Sequence, residues 1–287
     1  MTEADTRRIV IRSLEEAFAG PTGLVGEKSL LLRQNEEESI VTESPCLHNG
    51  LFTRLLDSFF DCVLDAFSQG FICADANEAA LLISSFWTIR SAYNLFWDRY
   101  YSNSIGVLRT GLESVFLLTA ERKGAISRSK LISIVNASTT SSHTDREQPK
   151  RKAQRLNTQV YRHLIGDQSG LSDNDQEAML AFIDQLHRNV HYAFPAYARL
   201  MIESSANGTM SIFPKFDEGL VGMATTAFTA TAWTYLSLFR LFLVEKHLPN
   251  WYANRIRILD DTCVHASTTI WSLELRCAWR NFLKQHY

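Results

Sequence analysis

From Gly219 to Phe239 the chain carries no charged residue, and an uncharged run of that length has two stable homes, the hydrocarbon of a bilayer or the middle of a protein core. Thr225, Thr226, Thr229, Thr231 and Thr234 interrupt the run, with alanines and glycines between them. A lipid-facing span is built from larger apolar side chains, and no other stretch of this sequence matches it in strength. The run therefore reads as the central helix of a helical bundle, with no membrane among the expected partners.

The rest of the chain agrees with that frame. Its 287 residues hold only 13 Gly and 6 Pro, the two residue types that most often end helices, so long uninterrupted helices are expected. Leu51, Leu55, Phe59 and Val63 form a helical stripe, and Leu82, Phe86, Ile89, Tyr93 and Phe96 form another on a helix opened by Asp75 or Asn77. A break at Ser102-Asn103-Ser104 precedes a third helix carrying Ile105, Leu108, Leu112, Val115 and Phe116, and so short a connection implies antiparallel packing. Ala137 to Lys152, rich in Ser and Thr and then charged, reads as a loop leading into a basic patch of Lys150, Arg151, Lys152 and Arg155. Further helices are expected over about 217–247, 250–261 and 263–285, with residues 206–216 as the single strand-like excursion. Asp5 or Thr6 caps an N-terminal helix to about Ala19, followed by a partly extended arm to residue 50. The fold class is all-α: a helical bundle over 51–287 with long antiparallel helices, preceded by an N-terminal helix and arm over 1–50.

Composition limits the function classes. With 29 basic and 31 acidic residues the formal charge is −2, so no global field draws the chain to nucleic acid or anionic lipid, although a local basic face is compatible with these totals. The five cysteines lie far apart and include no Cys-x-x-Cys pair, a pattern suited to a reducing cytoplasm. The first twenty residues place Glu3, Asp5, Arg7 and Arg8 where a secretory signal would be apolar.

Two clusters carry candidate chemistry. On a helix, Asp184, His187, Arg188 and His191 fall within an arc of about 100°, beside the apolar stripe Met179, Ile183, Leu186 and Val190. Asp184, His187 and His191 could ligate a metal, since His at i and i+4 can share one ion. The same face offers imidazoles for proton transfer and, in Arg188, a phosphate fork. Arg109 and Glu113 form the second cluster, an i, i+4 pair flanked by Leu108, Leu112 and Phe116 and so expected to be partly buried. Templates for cofactor binding are absent: there is no Gly-x-Gly-x-x-Gly, no Walker loop and no His-Glu-x-x-His. No cofactor is expected.

Three stretches resemble a group of uncharacterised bacterial all-helical proteins, over about residues 80–240: Leu108-Arg109-Thr110-Gly111-Leu112-Glu113, Leu186-His187-Arg188-Asn189-Val190-His191, and Ile212-Phe213-Pro214 before the long closing helices. That group is similar to HEPN domains and abortive-infection proteins, several of which are metal-independent ribonucleases or toxins. The resemblance implies an RNA- or nucleotide-interacting protein of bacterial defence or toxin type with a polar site at Arg109, Glu113, Arg188 and His191. His191 would be the general acid or base, and Arg188 or Arg109 the phosphate contact. The Arg-to-His spacing of HEPN ribonucleases occurs from Arg280 to His286 and from Arg240 to His247, no more often than this composition supplies by chance. The alternatives are a non-enzymatic homodimeric interaction module, binding a protein partner through exposed apolar helices, and a metal-binding bundle enzyme using Asp184, His187 and His191.

Overall fold

The computed structural model describes the backbone of residues 50–98, 100–132, 147–191, 218–244 and 248–287, and the side chains of all of these except 147–155, 189–191 and 218. The expected N-terminal helix and arm over 1–49, and the strand-like excursion over 206–216, lie outside the described residues. The principal helices are α1 (Leu51–Ser68), α2 (Ala76–Trp97), α3 (Tyr101–Arg122), α4 (Glu147–Leu164), α5 (Asp173–His191), α6 (Glu218–Arg240), α7 (Asn250–Ile270) and α8 (Leu273–His286). Among the described residues there is no strand, only one antiparallel bridge between Ile72 and Leu243.

The uncharged run is α6, and it packs against α1, α2, α3, α7 and α8. Its threonines explain how a polar sequence can occupy a core. Thr226 donates to Gly222 O, Thr229 to Thr225 O, Thr231 to Ala227 O and Thr234 to Ala230 O, at 2.8–2.9 Å. Each hydroxyl is thus satisfied within the helix, so burial leaves no unpaired donor. Among the described residues no helix is long and apolar enough to cross a membrane. Three consecutive residues then tie α6 to three neighbours. Trp233 Nε1 donates to Asp260 on α7 at 2.9 Å, Thr234 accepts from Trp279 Nε1 on α8 at 3.0 Å, and the Tyr235 hydroxyl donates to Leu82 O on α2 at 3.0 Å.

The hairpin of α2 and α3 positions one of the two candidate clusters. Asp75 caps α2 with a capping box: its carboxylate accepts from the backbone N–H of Asn77 and Glu78, while Glu78 accepts from the Asp75 N–H. The break falls between Trp97 and Tyr101, not at the expected Ser102-Asn103-Ser104. The serines lie in the first turn of α3, where the buried Ser104 hydroxyl donates to Ala92 O at 2.7 Å and fastens the two helices together. Ser104 meets Ala92, Gly111 meets Ile89 and Arg122 meets Glu78, so the helices run antiparallel as expected. A Cβ at Gly111 would sit 3.1 Å from the Ile89 side chain; the missing side chain permits this close approach.

Two further expectations are corrected. Helix α4 begins at Glu147, inside the stretch read as a loop. Pro149 falls in its first turn, where a missing N–H costs nothing. The backbone of the basic patch is therefore helical. Near the C-terminus the helix continues past 262 to Ile270, and the break sits at Trp271-Ser272, where the Ser272 hydroxyl caps α8 by accepting from Leu275 N–H. One hydrophobic core runs from Leu51 on α1 to Leu283 on α8. At its centre the Phe52 ring meets Tyr93, Phe96 and Phe228 edge-on at 6.2, 5.3 and 5.8 Å, each such pair adding about 0.5–1.5 kcal/mol beyond its buried area.

Candidate functional site

Helix α3 packs on both α4 and α5, and at that junction one carboxylate oxygen gathers three side chains. Glu113 Oε1 accepts from Arg109 Nε at 2.9 Å, lies 2.9 Å from Arg109 Nη2, accepts from the Tyr161 hydroxyl at 3.1 Å, and stands 3.5 Å from His187 Nε2. The residues come from three helices: Arg109 and Glu113 from α3, Tyr161 from α4, His187 from α5. Their position follows from local patterning. Leu108, Leu112, Val115 and Phe116 bury one face of α3, which places the next positions around the helix, 109 and 113, at the margin between core and water. On α4 the buried Leu156, Val160 and Leu164 set Tyr161 beside them, with its ring 6.1 Å from Phe116 edge-on. On α5 the buried Met179, Ile183 and Leu186 do the same for His187, whose ring lies 6.3 Å from Tyr161.

Water reaches this place only in part: 18% of the Arg109 side chain, 16% of Glu113 and 33% of His187 are exposed. Such partial exclusion strengthens electrostatic interactions without isolating them from a ligand. Burial, and then the neighbouring Glu113 carboxylate, push the Tyr161 phenol far above its ordinary range, so it stays protonated and serves as a donor. The group combines a guanidinium suited to an oxyanion, an imidazole suited to proton transfer, and a carboxylate that orients the guanidinium and stands 3.5 Å from the imidazole.

The structure brings together Arg109, Glu113 and His187. It does not bring Arg188 to them. Arg188 turns outward, 71% exposed, and pairs with Asp184 on the same helix, Nε to Oδ2 at 2.8 Å; such an exposed i, i+4 pair contributes little. Asp184 and His187, two of the three candidate metal ligands, thus face different partners. The side chain of His191 lies outside the described residues. Among the described residues no three His, Cys, Asp or Glu side chains converge as metal donors. His286, which completes the Arg280 spacing, is a buried structural residue: its Nε2 lies 2.8 Å from Leu164 O, and burial holds its pKa below the usual imidazole value. His247 lies outside the described residues.

Sequence reasoning missed Tyr161. Its signal was the placement next to Val160 in the 156–160–164 apolar stripe of an otherwise charged segment. No protein-family model matches this chain, and neither a curated protein nor a solved structure matches it significantly.

Proposed function

We propose that this chain is an RNA-directed protein of HEPN-like, toxin or defence type, and that Arg109, Glu113, Tyr161 and His187 form its phosphate-contacting, proton-transferring site. One observation carries the reading: a single oxygen of Glu113 holds Arg109 and Tyr161 and stands at ion-pair distance from His187, across three helices. In this role Glu113 and Tyr161 position the other two. Arg109 uses Nε and Nη2 on Glu113, leaving Nη1 for a phosphate oxygen. An imidazole at this margin takes the proton from an RNA 2′-hydroxyl as the 2′-oxygen bonds to phosphorus. The P–O5′ bond breaks and the leaving oxygen collects a proton, giving a 2′,3′-cyclic phosphate without a metal. His191, one helical turn beyond His187, is the second candidate for either proton transfer. We place this activity in the cytoplasm; among the described residues Cys62, Cys73, Cys263 and Cys277 are free thiols, the first and third of them buried.

The test is cleavage of a mixed-sequence single-stranded RNA in the presence of a chelator. Expected are cyclic-phosphate ends from the wild type and losses of about 100-fold or more for Arg109→Ala and for one of His187→Gln or His191→Gln, with Arg188→Ala unchanged. Equal cleavage by the wild type, Arg109→Ala, His187→Gln and His191→Gln, or no cleavage and no RNA binding by the wild type, overturns the proposal.

A second reading, the homodimeric interaction module, is favoured by Ile83 and Trp87. These two stand one turn apart on α2 and are 40% and 54% exposed, an apolar step that a second copy would cover. Sedimentation of the wild type as a dimer and of Trp87→Lys as a monomer supports it. A monomeric wild type at tens of micromolar removes it.

A further inference from the structure

A cleft of about 970 Å³ opens between the end of α6, the middle of α7 and the last turns of α8, well apart in sequence from the Glu113 group. Trp233, Val264 and Leu283 supply apolar walls, while Arg240, Arg280 and Lys284 bring three cations to the same cleft. Asp260 is the only acidic side chain among its lining residues, and it is already engaged. Its Oδ1 accepts from Trp233 Nε1 at 2.9 Å, and its Oδ2 lies 3.4 Å from Arg240 Nη1. One carboxylate thus fixes both the indole and the guanidinium. Arg280 and Lys284 are exposed, and among the described residues neither forms an ion pair.

With Arg240 balanced by Asp260, Arg280 and Lys284 remain as two exposed side-chain cations in the same cleft, which favours a ligand carrying negative charge. Guanidinium forks match the oxygens of a phosphate better than a point cation does. The apolar walls call for a flat or hydrophobic portion on the same ligand, and the volume is at the upper end of those that small-molecule sites use. We infer that this cleft binds a nucleoside phosphate, its phosphates on Arg280, Lys284 and Arg240 and its base between the apolar walls. The tie from Asp260 to Trp233 and Arg240 prepares the site before the ligand arrives, which lowers the ordering cost of binding. Helix α8, which carries Arg280 and Lys284, also packs on α5, the helix of His187.

The test is calorimetric titration of the whole chain with ATP, AMP, adenosine and inorganic phosphate at 0.1 M salt. Expected are binding of ATP tighter than 100 μM, binding of AMP weaker than ATP, and affinities for adenosine and phosphate each at least 10-fold below that of ATP. Arg280→Ala/Lys284→Ala, which alters only exposed side chains, should weaken ATP binding at least 10-fold with an unchanged circular dichroism spectrum. Arg109→Ala should leave ATP binding intact, which separates this cleft from the proposed RNA site. Absence of ATP binding overturns the inference, as does inorganic phosphate binding as tightly as ATP. Loss of ATP binding in Arg109→Ala but not in the double variant also overturns it, while leaving the RNA site standing.

Discussion

Two charged groups sit at the margin of the same core and are balanced in opposite ways. At the α3–α4–α5 junction a single carboxylate, Glu113, faces a guanidinium, a phenol and an imidazole. Along α1, Asp57, Asp61 and Asp65 repeat every turn, with the Arg90 and Arg255 guanidiniums beside them. Arg90 lies 3.8 Å from Asp57, and the buried Arg255 pairs with Asp65. The first group is rich in donors, so its carboxylate is well held. The second sets three carboxylates on successive turns of one helix. Burial, then the charges of Asp57 and Asp65, raise the Asp61 pKa from its ordinary 3.8 to about 6, against the opposing pull of Arg255 and Arg90. Two sets of similar side chains thus differ in kind. One gathers a guanidinium, a phenol and an imidazole around one carboxylate, while in the other burial and neighbouring carboxylates raise the pKa of the middle acid.

The α1 group should respond most strongly. Arg255→Met is expected to cost about 3–5 kcal/mol in urea unfolding, because it strands a largely buried Asp65 and removes the guanidinium that lies 5.0 Å from the Trp251 ring centroid. A loss below ~1 kcal/mol would mean that the acids along α1 do not depend on their guanidiniums, and the contrast between the regions would fall. Asp61→Asn should act in the opposite direction. A carboxyl whose folded pKa lies above its unfolded one favours the folded state when protonated. That contribution is complete below pH 3.8 and disappears as the pH rises through about 6. Asp61→Asn should therefore stabilise the protein at pH 7 by on the order of 1–3 kcal/mol and flatten the stability profile between pH 4 and 6. An unchanged profile would show that Asp61 is not strained. At the donor-rich group a smaller effect is expected: Tyr161→Phe removes one hydrogen bond to Glu113 and should cost about 1 kcal/mol in the same assay. Smallest of all, Arg188→Ala should change stability by less than ~0.5 kcal/mol, because its partner Asp184 is 57% exposed. A larger loss would show that the outer face of α5 is coupled to the inner one.

The sequence carried the helices and one half of the candidate site. Arg109 and Glu113 could be singled out because they are one turn apart and flanked by leucines and a phenylalanine, a purely local pattern. The other half depended on how α5 is rotated against α3. His187 and His191 lie only about 40° apart on a helical wheel, and Arg188 about 100° from His187. Periodicity places all three near the border of the buried stripe, and only packing selects His187 for Glu113 and turns Arg188 to solvent. Tyr161 was hidden for a related reason. Its helix begins in a segment so polar that only Leu156, Val160 and Leu164 mark the inner face. The cleft at Arg240, Arg280 and Lys284 joins the C-terminal end of α6 to later turns of two other helices, a juxtaposition that no spacing within one helix can announce.

The bonds made by Trp233, Thr234 and Tyr235 leave α6 at successive steps of about 100° and end on three different helices. They act as a rotational lock, fixing the angular setting and the height of the axle at a single level, while the remaining threonines leave its surface smooth to its neighbours. Inserting one residue between Trp233 and Thr234 would rotate the first arm by about 100° against the other two, so that the three could no longer meet their partners together. The same insertion near Gly219 would shift only the far end of the axle and leave the lock engaged.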